Sequence, residues 1–163
     1  MNLLECKDLC VGYSGGKTLI RNVDFSLEAG EVVALMGENG SGKSTLLKTL
    51  AGLVPALSGA VSRVSLTPRE RAKFVALVRM SGMEPGRLSV REFVGLGRMP
   101  YSGFLDGRTA EDERIVADAM ALLDVAAFAN RPVAELSDGE RSRVYLACAV
   151  AQQVQVLLLD EPN

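Results

Sequence analysis

One stretch constrains this chain more than any other: Gly37-Glu38-Asn39-Gly40-Ser41-Gly42-Lys43-Ser44-Thr45. Before it lies the unbroken apolar run Val32-Val33-Ala34-Leu35-Met36, and after it Leu46, Leu47, Leu50 and Ala51 recur at helical spacing. A short run rich in β-branched residues predicts a strand buried on both faces, as in a parallel sheet. Gly52 is the expected helix stop. The spacing Gly37-x-x-x-x-Gly42-Lys43-Ser44 is the phosphate-binding loop pattern, lying between an expected strand and an expected helix.

The chemistry of such a loop follows from its residue types. Glycines let backbone N–H groups turn inward around phosphate oxygens, and the helix N-terminus adds a favourable dipole. Lys43 reaches the β- and γ-phosphates of a nucleoside triphosphate, and Ser44 offers a hydroxyl to Mg²⁺. Such a site needs a carboxylate for the metal. Val156-Leu157-Leu158-Leu159-Asp160-Glu161 reads as a second buried strand with acids at its C-terminal end. Asp160 is the expected Mg²⁺ partner, and Glu161 is placed to polarise a water as general base. The plain alternative is a strand ending at an acidic turn before Pro162.

The rest of the chain frames these elements. Leu3 to Tyr13 and Thr18 to Leu27, separated by Ser14-Gly15-Gly16-Lys17, read as a hairpin. Residues 53–108 mix turn formers with one apolar run, Phe74 to Val78. Basic residues outnumber acidic ones between Arg63 and Arg98, which reads as a solvated face or as a docking surface. Thr109-x-x-Asp112 opens a helix with the stripe Ile115, Ala119 and Leu122 beside Val116, Met120 and Leu123. Another helix runs from Ser137 to about Gln153. Ser137-x-x-Glu140 is a capping box in its own right.

Composition closes several doors. The formal charge is −2, against a strongly basic nucleic-acid binder, and no nucleic-acid partner is expected. Tyr145 to Ala151, the longest wholly apolar stretch near the C-terminus, is far short of the ~20 residues of a membrane helix. The N-terminus has neither a basic segment nor a long apolar one, so no secretory signal is expected. Zero His excludes histidine-based acid/base chemistry and histidine metal sites within these residues. Cys6, Cys10 and Cys148 form no Cys-x-x-Cys pair and are expected as reduced, buried thiols.

Taken in order, the loop Gly37 to Thr45, the segment Leu136-Ser137-Asp138-Gly139-Glu140 and Leu157-Leu158-Leu159-Asp160-Glu161-Pro162 resemble the three motifs of ATP-binding-cassette (ABC) ATPases. The resemblance covers the whole chain. It implies an α/β fold: a P-loop parallel-sheet core, an N-terminal antiparallel β subdomain, and an α-helical signature subdomain over about residues 80–150, all within one domain, 1–163. It implies that Tyr13 stacks on adenine and that Gly37, Glu38, Asn39, Gly40, Ser41, Gly42, Lys43, Ser44 and Thr45 hold the phosphates of ATP. Two copies would pack head to tail, so that Ser137 and Gly139 contact the γ-phosphate held by the other subunit. Glu161 and Lys43 would be catalytic, with Mg²⁺ at Ser44 and Asp160.

Ser89-Val90-Arg91-Glu92-Phe93-Val94-Gly95-Leu96-Gly97-Arg98-Met99-Pro100-Tyr101 is similar to the matching segment of iron–siderophore, haem and cobalamin importers. That likeness implies an ATPase subunit on the inner face of the cell membrane, bound to integral permease subunits and indirectly served by a substrate-binding protein. A soluble, non-transport cassette ATPase and a nucleotide-binding module without turnover are the alternatives. The sequence departs from the family pattern at three places. Asp138 and Glu140 replace a glycine and a glutamine, and an added carboxylate near a γ-phosphate is repulsive unless it faces solvent or a cation. Met80 stands where the family has a glutamine that senses Mg²⁺ and water. The family's further strand with its switch histidine, which lies between the loop strand and the Asp160 strand, is not among these 163 residues. Without it, two strand edges are expected to be unpaired, and residues 1–163 alone are not expected to fold stably as an active ATPase.

Overall fold

The two N-terminal runs form the expected hairpin. β1 (Asn2–Gly12) and β2 (Thr18–Glu28) pair antiparallel, and β3 (Ser58–Val61) takes the other edge of β1, giving the order β2-β1-β3. The computed structural model describes residues 2–13, 15, 17–63, 65–80, 86–101 and 107–160. The chain divides into two compact units, residues 1–71 and 72–162.

In the first unit Leu4, Cys6, Leu9 and Val11 are buried along β1. Their spacing breaks strict alternation between Cys6 and Leu9, and the register shifts there. Asp8 absorbs the extra residue at φ 47°, while Gly59 on β3 sits at φ 82°. A Cβ on Gly59 would lie 2.3 Å from the Asp8 carbonyl oxygen, so the bulge needs glycine opposite it. Helix α1 (Lys43–Leu50) lies against β1 and buries Leu46 and Leu50. It stops as predicted: Gly52 turns at φ 69°, its N–H donates to Thr49 O, and the Leu53 N–H donates to Lys48 O.

The run Val32 to Met36 corrects the sequence reading. It forms no strand, and Val32 and Met36 are 95% and 88% exposed. A strand exists only through the neighbour that accepts its ladder hydrogen bonds. Among the described residues no segment pairs with this run, so apolar character alone does not make it a strand.

The second unit begins at the end of α2 (Pro68–Phe74) and contains β4 (Val75–Arg79) and β5 (Val156–Asp160), paired parallel from Val75–Val156 to Arg79–Asp160. Helices α3 (Val90–Gly95), α4 (Ala110–Leu122) and α5 (Asp138–Ala151) build its core, where Val94, Val116, Met120, Val125, Val133 and Val144 are fully buried. Each such side chain contributes about 1.5–3 kcal/mol. Two expectations are corrected here. β5 is buried on one face only, with Leu157 and Leu159 each 41% exposed, because no described residue layers on that side. The inward stripe of α4 is Ile115, Val116, Ala119 and Met120, whereas Leu122 points to solvent.

Candidate functional site

The loop from Gly37 to Gly42 is held open by backbone conformations that only glycine adopts readily: Gly40 at φ 79° and Gly42 at φ 102°. Gly42 is also the N-cap of α1 and so brings no side chain to cap it, and the first turn carries no acid. The contrast with α3, α4 and α5 is direct. Each of those begins with a complete capping box: Ser89 with Glu92, Thr109 with Asp112, Ser137 with Glu140. The first N–H groups of a helix need an acceptor. At α1 none comes from a capping side chain, and an anion such as a phosphate fits there. Lys43 supplies the cation. Its Nζ donates to the carbonyls of Gly37, at 2.7 Å, and Glu38, at 2.9 Å.

Tyr13 follows β1 directly and is 58% exposed, with its hydroxyl 3.4 Å from Thr45 Oγ1 on the first turn of α1. The structure therefore brings an open aromatic ring to the same helix end as the loop, which sequence spacing alone does not fix. Thr45 is buried and Ser44 is exposed.

The second unit carries the acids and the signature segment. Asp160 ends β5, half-buried, and its carbonyl accepts from the Met80 N–H at 3.3 Å. Met80 thus stands one residue past β4, beside the acidic strand end, and its side chain packs against the apolar core. Glu161 and Pro162 lie outside the described residues.

Ser137 caps α5. Its N–H donates to Glu140 Oε2 at 2.8 Å and its hydroxyl to the same oxygen at 2.7 Å. Hydrogen bonds from the hydroxyl and backbone of Ser137 hold the Glu140 carboxyl below its usual range. The Asp138 side chain is fully exposed and paired with Arg141 Nη2 at 3.2 Å, so its charge faces both solvent and a cation. Gly139 is exposed, with open space where a Cβ would point. The two unusual carboxylates of this segment are therefore accommodated, one by the cap and the other by Arg141.

Residues 20–163 match the sequence profile of the ABC transporter family. The chain belongs to the ABC transporter family. Among curated relatives of this cassette, the hemin import ATP-binding protein HmuV of Streptomyces coelicolor is 47% identical over 93% of the chain and 55% of its own length. The iron(3+)-hydroxamate import ATP-binding protein FhuC of Bacillus subtilis is 35% identical over 100% of the chain and 62% of its own length. Of the solved structures, an inward-facing metal-chelate type ABC transporter superposes with a TM-score of 0.85 at 27% identity, over 99% of this chain and 61% of the other. The cassette thus spans little more than half the length of these relatives.

Two features of the cassette were not legible as site residues. The cysteines are not uniformly buried: Cys6 is, whereas Cys10 and Cys148 are half-buried. Within the basic run from Arg63 to Arg98, most members are exposed as a solvated face, but Arg98 is only 4% exposed. Its one sequence signal was its place in the segment Gly97 to Tyr101.

Proposed function

We propose that the chain is the ATP-binding and ATP-hydrolysing part of an importer subunit for iron–siderophore, haem or a related metal chelate, acting at the inner face of the membrane. The observation that carries this reading is the N-terminus of α1, with no side-chain cap, two left-handed glycines and Lys43. Backbone amides from Gly40 to Thr45 and the Lys43 ammonium would hold the phosphates, with the Tyr13 ring against adenine. Ser44 and Asp160 offer the hard oxygen ligands that Mg²⁺ takes. Bound Mg²⁺ would neutralise charge on the phosphates, and Glu161 would take the proton of the attacking water. Ser137 and Gly139 would reach the nucleotide of a second copy packed head to tail.

The importer class rests on the relatives named for hemin and hydroxamate import. Among the described residues no helix is long and apolar enough to cross a membrane. The test is ATP turnover by the full-length subunit assembled with its permease in lipid vesicles and supplied with a chelate-loaded binding protein. Stimulated turnover that is abolished by Glu161→Gln is expected; absence of stimulation by any metal chelate would sink the importer reading.

A second reading, nucleotide binding without turnover, is favoured by Met80, which brings no side-chain amide to the Asp160 strand end. Met80→Gln separates the two. A silent wild type that gains hydrolysis in this variant would support binding without turnover, whereas an active wild type excludes it.

A further inference from the structure

The Ser137 hydroxyl has a single proton, and that proton is already committed. An ionised carboxylate only accepts, so in the 2.7 Å contact between Ser137 Oγ and Glu140 Oε2 the hydroxyl is the donor. The Ser137 N–H donates to the same oxygen at 2.8 Å, and Ser137 Oγ accepts from the Glu140 N–H at 3.4 Å. The hydroxyl proton is therefore directed back into its own helix. Around it the surface is open: Ser137, Asp138 and Gly139 are exposed, and a Cβ on Gly139 would meet nothing within 4 Å.

The capping box of α4 is the useful contrast. There the Thr109 hydroxyl donates to Asp112 Oδ2 at 2.8 Å, but Asp112 Oδ1 accepts from Arg98 Nε at 2.8 Å. Arg98 is buried, and the same fork donates through Nη1 to Ala151 O at the end of α5. The charge of Asp112 is thus shared between a cap and a guanidinium. Glu140 has no such second partner. The nearby Arg141 donates to Leu136 O and Asp138 Oδ1, and Arg143 donates to Asp124. Among the described residues, hydrogen bonds reach the Glu140 carboxylate only from Ser137, whose hydroxyl is the foremost reason that this carboxyl sits below its usual range. A phosphate oxygen also only accepts, so it competes with Glu140 for one proton. A carboxylate is the stronger rival, since hydrogen bonds to ionised acceptors are roughly twice as strong as neutral ones.

We propose that Glu140 is a positioning residue that holds the Ser137 hydroxyl away from the nucleotide of a second copy, and so sets how tightly ATP joins the two copies. This rests on the head-to-tail reading above. On pairing, the Ser137 O–H turns from Glu140 Oε2 to a γ-phosphate oxygen, while the Ser137 N–H stays on the carboxylate and keeps α5 capped. Glutamine at position 140 serves a capping box as glutamate does, but its neutral oxygen releases the hydroxyl more readily.

The experiment measures ATP-driven dimerisation of the full-length subunit by light scattering in a Glu161→Gln background. Glu140→Gln should lower the ATP concentration for half-dimerisation by about five- to tenfold, the difference between a charged and a neutral acceptor, with Tm close to wild type. In a Ser137→Ala background the same substitution should shift it by less than about twofold. Asp138→Asn, which removes a charge that does not touch Ser137, should act alike in both backgrounds. No gain from Glu140→Gln would overturn the proposal, and so would a gain that persists without the Ser137 hydroxyl, since plain loss of charge then explains it. Should Glu140→Gln fail to fold, carbon-13 titration of the nucleotide-free subunit decides: Ser137→Ala should raise the Glu140 carboxyl pKa, and an unmoved value overturns the proposal. Absence of ATP-driven association in every variant would instead sink the head-to-tail reading, and the role of Glu140 with it.

Discussion

The Lys43 ammonium lies 2.7 Å from the Gly37 carbonyl oxygen and so closes the phosphate loop on itself. A second bond from the same ammonium, to the Glu38 carbonyl, holds the loop in the same shape. In the proposed function, nucleotide entry would exchange both contacts for phosphate oxygens.

Lys43→Ala is expected to weaken ATP binding by about 10- to 100-fold, the worth of one hydrogen bond to a charged group, ~1.5–3 kcal/mol. Titration of the full-length subunit with a fluorescent ATP analogue checks it. Affinity within twofold of wild type would remove Lys43 from the site.

Ser137 caps α5, and in the proposed function it would also meet the nucleotide of a second copy; substitutions separate the two. Ser137→Ala removes the α5 cap and should cost about 1 kcal/mol of stability. Ser137→Asp retains a capping oxygen, so its stability should stay close to wild type, but it sets a carboxylate where, in the proposed function, a γ-phosphate would approach. ATP-driven dimerisation, measured by light scattering in a Glu161→Gln background, should be lost in Ser137→Asp despite a wild-type Tm.

Asp112 gives the helical unit a pH dependence at the acid end. The Arg98 guanidinium first, and then hydrogen bonds from the Thr109 backbone and hydroxyl, lower its carboxyl from 3.8 to about 2. A depressed pKa contributes stability that is present above the unfolded value and is lost as pH falls through the folded one. Denaturant unfolding should therefore show about 2 kcal/mol lost between pH 4 and 2 from this group. Asp112→Asn should flatten that window, which parallel titrations of the two proteins would reveal.

The three thiols should differ in reactivity. Burial raises Cys6, and burial pushes Cys148 up to about 11. Hydrogen bonding to Ser58, then to the Asn22 backbone, lowers Cys10. Because the thiolate is the nucleophile, iodoacetamide at pH 7.5 should alkylate Cys10 first, as read by peptide mass spectrometry. Equal labelling of Cys148 in the folded protein would contradict this.

Local pattern determined the elements whose partners are near in sequence or written into their own ends. The hairpin of β1 and β2, the capping boxes at Thr109 and Ser137 and the glycine stop at Gly52 are all of this kind. So was the glycine loop that opens α1, since its backbone shape depends on consecutive residues and on the helix they begin. The tertiary structure decided what depends on distant neighbours. Val32 to Met36 has the composition of a buried strand, yet among the described residues it has no ladder partner and stays exposed. Leu157 and Leu159 likewise face outward, because burial of a strand needs a layer on each side. Arg98 read as one basic residue among many, and only packing against the end of α5 turned it into a buried fork. Periodicity and caps are properties of a segment, whereas pairing, burial and the worth of a charge are properties of what the fold brings to it.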